Sequence, residues 1–538
     1  MTETIDVAIL GGGLAGLTLA RQLKQSRPEI TVTVLERLTH PVPEAAFKVG
    51  ESSVEIGAHY FAEVLGLKDH IERDQLPKFG LRFFFNRNGN QCISDGLEMG
   101  LSEFFPKPSY QLDRGRFENH LARTATETGI DFLDGAKVVQ VSLAENDQPH
   151  QVTYSRHGQS KTLDCRWVVD ASGRASILKR KLGLAESVSH RIHSSWFRIE
   201  AQIRIDDWCD TAVWNSKRGT IEDRWLSTNH LMGPGYWVWL IPLASGSTSI
   251  GIVADPAIHP LSTFNQFDKA LAWLQEHEPQ CAAALQPHLD KVQDFKALKN
   301  VAYGCKQVFS ANRWALTGEA GVFLDPFYSP GSDFIAIANS FINQLILRDL
   351  SGKTIKSQAK IFDQLYKSFF EGTLEIYSGQ YPIFGNMQLM PLKILWDYAV
   401  YWAHPAFLFI HERMWDLNIF INIRAALQKV SNLNRDMQRF FRQWNEKLNT
   451  ALDHKFLDQA DVHLMYELNR NLVDPIDRDT FIKMYAENVT KLERFAQEIQ
   501  TRIEAQHQGE VSSKTEPAAP LTNFLEKVTP VLLERGLG

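Results

Sequence analysis

The sequence predicts an α/β fold in three parts: a nucleotide-binding domain, a β-sheet domain and a helical C-terminal region. Three observations point there. The apolar run over residues 5–10 leads into Gly11-Gly12-Gly13-Leu14-Ala15-Gly16 and then a helical pattern through Leu17, Ala20 and Leu23, which reads as strand, glycine turn, helix. Residues 194–253 alternate with a period of two, as in 196–205 and 236–241, the pattern of a sheet that could roof a cavity. After Ser340 the pattern turns helical, with aromatic residues crowded between Phe369 and Phe420.

The first strand, turn and helix form a Rossmann-like unit. In G-x-G-x-x-G the first glycine permits the turn, the second lets a pyrophosphate approach the backbone, and the third lets helix and strand pack closely. A second strand, residues 30–35, ends in Glu36, twenty residues beyond Gly16, where the ribose-binding acid of a dinucleotide fold is expected. From residue 110 to 182 the chain alternates again: a helix near 117–127, strands near 137–141, 152–155 and 166–170, then Ala171-Ser172-Gly173-Arg174. The boundaries predicted are 1–190 for the first part of the nucleotide domain, with inserted substrate-side segments near 78–110, and 191–300 for the β-rich substrate domain. Residues 301–345 return to the nucleotide domain, 346–505 form a helical domain, and 506–538 a polar linker and short tail.

Composition excludes several functions. With 538 residues, 44% of them hydrophobic, the chain can bury two or three cores, and a net charge of -6 gives no general attraction to nucleic acid or anionic lipid. Five widely spaced cysteines without a C-x-x-C pair read as the reduced thiols of a cytoplasmic enzyme, and no metal-ligand pattern stands out. The first ten residues run straight into a strand with no basic region or cleavage site, so no signal peptide is expected. Residues 399–410 carry no formal charge but are short and contain Pro405, so they cannot span a bilayer as a helix and predict a buried or groove-lining helix pair, with an interfacial membrane contact or an apolar substrate tunnel as alternatives.

Residues 317–333, TGEAGVFLDPFYSPGSD, hold Phe323, Pro326, Ser329 and Gly331 in the frame F-x-x-P-x-x-S-x-G. Trp237-Val238-Trp239-Leu240-Ile241-Pro242 fits W-x-W-x-I-P, and Lys78 lies about twenty-five residues beyond Gly50-Glu51-Ser52. In these motifs the chain resembles the flavin-dependent halogenases of the FAD-dependent, aromatic-hydroxylase-type monooxygenase superfamily. The resemblance runs over about residues 1–345 and extends to Tyr110-Gln111-Leu112-Asp113-Arg114, to Val168-Val169-Asp170-Ala171-Ser172-Gly173-Arg174 and to Gly318-Glu319, where the family has Gly-Asp.

The resemblance implies FAD as cofactor, held by Gly11, Gly13, Leu14, Ala15, Gly16, Glu36, Arg37, Lys48, Val49, Gly50, Arg114, Val138, Gly318, Glu319, Pro326 and Gly331. It implies Lys78 as the catalytic amine that holds or captures hypohalous acid. Trp237, Trp239, Tyr328 and Ser329 are implied to line the substrate or halide pocket, the paired indoles hindering direct oxygenation of substrate. A separate flavin reductase, a halide ion and an electron-rich aromatic or conjugated substrate, free or carrier-bound, are the partners implied. Four residues depart from the pattern: Glu319; Tyr328, where the tryptophan-type halogenases have a glutamate; Pro330, which removes an N–H from the turn that would hold halide; and Asp333, which sets a carboxylate nearby. The last two leave an alternative open, an FAD-dependent monooxygenase or oxidoreductase that hydroxylates, epoxidises or desaturates without halide. A prenyl-reductase-like flavoprotein ranks behind both.

Overall fold

In the computed structural model the glycine-rich turn lies between strand Thr4–Leu10 and helix Leu14–Ser26, and strand Val32–Leu35 delivers Glu36 beside it. The structure describes residues 4–44, 49–85, 88–145, 148–210, 214, 223–448 and 455–508. Two units divide the chain: residues 1–75, 112–189 and 300–371 make the first, and 76–111, 190–299 and 372–538 the second.

The first unit is built on a seven-stranded sheet among the described residues. Its order is Asp131–Leu133, Val32–Leu35, Thr4–Leu10, Gln159–Asp170, His150–Arg156, Lys137–Ser142, with Trp314–Leu316 also paired to Gln159–Asp170. Neighbours of Thr4–Leu10 run parallel to it, and the last two strands are antiparallel. Val7, Ala8, Ile9, Val34, Val168 and Val169 are fully buried, as parallel strands covered on both faces require. The strand expected at 166–170 is longer because its first half pairs with His150–Arg156 and its second half with Thr4–Leu10 and Trp314–Leu316.

Asn339, on helix Gly331–Leu350, ties this unit together. Its Oδ1 accepts from Thr317 Oγ1 at 2.7 Å, and its Nδ2 donates to Ala15 O and Thr18 Oγ1 at 3.1 Å and to the Tyr60 hydroxyl at 3.2 Å. Every polar atom of the amide is thereby used in a place where an unpaired one is costly.

Helix Arg114–Glu127 is anchored by a pair of imidazoles. His120 stacks on His70 of helix Lys68–Asp74 with ring centroids 3.7 Å apart, and His70 stacks on Phe117 at 5.6 Å. Asp74 faces His70 Nδ1 at 2.7 Å, whereas Arg123, Arg73 and Arg21 add positive charge. Burial first, then the charge of His70 and the arginines, push the His120 imidazole down to about 4. Since the folded state favours neutral His120, the contribution is complete above the ordinary value of 6.5 and is lost as pH falls toward 4. A His120→Gln variant is therefore expected to flatten the acid limb of urea-unfolding midpoint against pH between about 6.5 and 4. An unchanged slope would remove His120 from that limb.

The second unit carries an eight-stranded sheet among the described residues, in the order Val292–Leu298, His193–Ile199, Thr248–Ala254, Tyr236–Pro242, Thr228–Gly233, Leu81–Phe85, Leu97–Gly100, Lys455–Asp458. One face packs Phe84, Leu231, Tyr236, Val238, Leu240 and Ile250 against helices Phe267–His277 and Pro279–Leu285. The other face holds Phe83, His230, Trp237 and Trp239, all buried. The strand expected over 196–205 stops at Ile199. A register shift falls between Arg198 and Ile199, and Thr248 then takes the peeling chain by bonds to Ile203 N and Ala201 O.

Helices Leu389–Tyr401, Leu417–Trp444, His463–Arg470 and Arg478–Gln508 complete this unit. Pro405 does not break the first of them; the chain passes through a π-turn, Trp402–Ala406, into Phe407–Ile410. These residues are mostly buried, in line with the buried helix pair expected, and no helix among the described residues is long and apolar enough to cross a membrane. The polar stretch expected from 506 begins inside helix Arg478–Gln508, and residues 509–538 lie outside those described.

Candidate active site

Two of the glycines in the first turn are there for steric reasons. Gly11 has φ +116°, and a Cβ on it would lie 2.4 Å from Ala171 O; one on Gly16 would lie 2.0 Å from Gly11 O. Gly13 differs, since a Cβ there meets nothing nearer than Glu118 Oε2 at 4.0 Å. Gly13 is also the N-cap of helix Leu14–Ser26, with no side-chain cap and no acid in the first turn. An open cradle above an uncapped, positively polarised helix start suits a pyrophosphate, so the residues present fit a dinucleotide cofactor.

Glu36 braces this turn. Its Oε2 accepts from Gly12 N at 2.7 Å and its Oε1 from Leu38 N at 2.8 Å, and Arg37 beside it is exposed. Arg114, at the head of its helix, binds Val49 O at 2.7 Å and Gly50 O at 3.3 Å through Nη1, and Glu118 Oε1 at 2.7 Å through Nη2. Its Nε is buried without a partner. The Val49-Gly50 turn, with Gly50 at φ +87°, is thus held to the helix that Arg114 starts. Lys48 lies outside the described residues. Val138, half-buried opposite Tyr154, sits three strands from Thr4–Leu10 in the sheet order and is not brought to the glycine turn by it.

Gly318, at φ +59°, comes onto the first helical turn: a Cβ there would stand 3.0 Å from Ala15 Cβ. Glu319 next to it reaches across to Arg174, whose Nε donates to Oε2 at 2.9 Å while the guanidinium lies 5.2 Å from the Phe323 ring centre. Tyr303 fixes the backbone by donating to Glu319 O at 2.8 Å. Asp170 plays a structural part. It accepts from Ser172 N, Ser172 Oγ and Leu178 N, and its burial raises the carboxyl above the usual range.

The turn of residues 326–331 leads into helix Gly331–Leu350. Ser329 N donates to Pro326 O at 2.9 Å, Ser329 takes φ +58°, and half-buried Tyr328 meets Phe327 edge-on at 4.7 Å. Pro330 is the helix N-cap, and the first helical bond runs from Phe334 N to Pro330 O at 3.1 Å. A proline at that place gives up an N–H that the helix does not use, and the amides of Gly331 and Ser332 still open the helix ahead of that bond. A Cβ on exposed Gly331 would meet nothing within 4 Å.

Asp333 is bonded to a neighbouring helix. It is buried, and its Oδ1 accepts from Gly57 N at 2.8 Å in helix Glu55–His59. Ser332 Oγ is buried without a partner, and a Cβ on Gly57 would lie 2.3 Å from it. Sequence reasoning missed Gly57 and Asn339, whose contacts join residues 276 and 324 positions apart.

In the second unit Lys78 is 2% exposed. Strand Leu76–Pro77 pairs with Tyr110–Gln111, Lys78 N donates to Ser109 O at 2.9 Å, and Phe79 N donates to Leu226 O at 3.1 Å. Trp237 and Trp239 lie on one face of strand Tyr236–Pro242, their ring centroids 5.6 Å apart. Trp239 Nε1 donates to Ser249 Oγ at 3.1 Å, and its ring covers Gly251 so closely that a Cβ there would lie 2.1 Å away. The indoles therefore form an apolar wall whose polar atoms are already bonded. Among the described residues no cluster of His, Cys, Asp or Glu is placed to hold a metal, and the five cysteines are free thiols.

A family model described as an FAD binding domain matches residues 4–250. The flavin-dependent halogenase chlA of Dictyostelium discoideum is 26% identical over 430 residues, covering 74% of this chain and 69% of that one. A 1H-pyrrole-2-carbonyl-[peptidyl-carrier protein] chlorinase of Pseudomonas fluorescens is 26% identical over 348 residues, 61% of this chain and 72% of its own. Among solved structures, halogenase PltM in complex with phloroglucinol and FAD superposes with a TM-score of 0.64 at 17% identity, covering 98% of this chain and 96% of that one.

Proposed function

We propose that this chain, an FAD-dependent oxidoreductase distantly homologous to the flavin-dependent halogenases, is a two-component halogenase acting on an electron-rich aromatic or conjugated substrate, free or carrier-bound. A separate reductase delivers reduced FAD, which when bound supplies the electrons that activate O2 for the oxidation of halide. The observation that carries the reading is the turn into helix Gly331–Leu350. Pro330 stands at the N-cap, Gly331 is open, and one oxygen of Asp333 accepts from Gly57 N, which leaves the amides of Gly331 and Ser332 to support an anion. In this reading Ser329, Gly331 and Ser332 hold the halide, Gly11, Gly13, Arg114 and Glu36 shape the cradle for the dinucleotide, and Lys78 Nζ holds the hypohalous acid. Trp237 and Trp239 keep water and direct oxygenation out.

The test is reconstitution with FAD, a flavin reductase, O2 and bromide or chloride. Two probes are used, phloroglucinol as a free phenol and pyrrole-2-carbonyl on a carrier protein, after the relatives above. Expected is a product mass in which halogen replaces hydrogen, strictly dependent on halide. A Gly331→Val variant is expected to need on the order of tenfold more halide, since its side chain fills the anion's place. Oxygenated product that persists without halide would establish the monooxygenase reading in its stead.

A further inference from the structure

The segment that follows helix Lys356–Tyr377 is fastened to the tryptophan strand at three points. Trp237 Nε1 donates to the Tyr381 hydroxyl at 3.0 Å, Gly235 N donates to Tyr381 O at 3.2 Å, and Gly385 lies so near the β-turn that a Cβ on it would be 2.8 Å from Pro234 N. The Tyr381 ring is itself held, stacked on Phe384 at 4.4 Å and tilted against His190 at 5.7 Å. The two indoles are fixed in different ways. Trp239 is secured by neighbours on the adjoining strand, Ser249 and Gly251, whereas Trp237 Nε1 donates to a residue 144 positions away in the chain. The rest of the Trp237 ring meets His230 at 5.0 Å and Trp239 at 5.6 Å, contacts that do not fix its N–H.

We infer that Tyr381 is a positioning residue for the halogenation reaction, holding the first tryptophan of W-x-W-x-I-P in the rotamer that lets it act as a wall. A strand indole has several staggered positions open to it, and a buried N–H selects the one in which it is bonded. The helical C-terminal region, which lies beyond the halogenase motifs in the chain, thereby acts on a motif residue. This inference rests on the function proposed above.

The test is a double-mutant cycle of Tyr381→Phe and Trp237→Phe on FAD-loaded full-length protein, with phloroglucinol and bromide as probes. Two readouts are taken: brominated product against hydrogen peroxide per reduced FAD consumed, and the near-ultraviolet circular dichroism of the indole pair. Tyr381→Phe is expected to lower the product-to-peroxide ratio about fivefold or more, and to change the dichroism in the same sense as Trp237→Phe. The double variant is expected to be no worse than Trp237→Phe alone. Independent, multiplying effects, or a Tyr381→Phe protein that matches the wild type in both readouts, would overturn the inference. If the wild type brominates nothing, the proposed function fails, and the dichroism cycle still decides whether Tyr381 sets Trp237.

Discussion

Lys78→Ala is expected to lower halide-dependent product formation by about two to four orders of magnitude, the range for loss of a positioned amine or acid–base group. FAD binding should be unchanged, because the glycine turn, Arg114 and Glu36 belong to the other unit of the chain. The physical case begins with burial. A lysine is rarely hidden without a reason, and Lys78 is 2% exposed. Its backbone is pinned on both sides: Pro77 pairs with Tyr110, Lys78 N and Phe79 N bond to Ser109 O and Leu226 O, and Gly80, at φ +65°, accepts from Thr228 N at 3.1 Å. Such a frame fixes where the side chain starts, as a reacting amine needs. Lys78→Arg should rescue little, because a guanidinium is bulkier, planar and does not give up its proton. Full halide-dependent product formation in Lys78→Ala would leave the lysine a structural role and overturn its part in halogen transfer.

Gly11, Gly16 and Glu36 could be read from spacing because a strand, a tight turn and a helix impose short-range rules on neighbours in sequence. The same holds for Trp237 and Trp239, whose separation of two puts them on one face of a strand. Pro330 was harder. Its missing N–H is visible in the sequence, but its meaning depends on where the helix begins, and the N-cap position makes the loss harmless to the helix. Asp333 likewise reads as a charge near an anion until Gly57, 276 positions away, takes one of its oxygens. Glu319 reads as a lengthened carboxylate in a cofactor-binding pair, and the fold adds its bond to Arg174, 145 positions away. Long-range pairings of this kind leave no periodicity in the chain, and Tyr381 had no signal in sequence at all.

Glu98→Ala is expected to destabilise the second unit by about 3–5 kcal/mol, the usual effect of breaking a buried charge network from one side. Glu98 lies between two guanidinium groups: its Oε1 takes Arg82 Nη1 at 2.5 Å and Arg224 Nε at 2.9 Å, with all three side chains at most 7% exposed. The remaining donors are bound as well, Arg82 to Leu101 O and Ser227 Oγ, Arg224 to Trp214 O, and the Arg224 guanidinium sits 3.7 Å from the Trp214 ring centre. Removing Glu98 leaves two buried cations with Asp206, 3.6 Å from Arg224, as the nearest countercharge. A large loss follows from the unpaired charges and not from any great net value of the network, so the triple replacement Arg82→Met, Glu98→Leu, Arg224→Met should recover much of it. Glu44→Ala, which breaks an exposed pair with Arg116, should change the unfolding free energy by no more than about 0.5 kcal/mol. The network also bears on chemistry: Arg82 stands four residues beyond Lys78, and Ser227, which accepts from Arg82, donates to Phe79 O at 2.8 Å. Glu98→Ala should therefore lose product formation at temperatures where its unfolding curve is still flat, whereas equal stability and activity in variant and wild type would mean that the two arginines reach water without their partner.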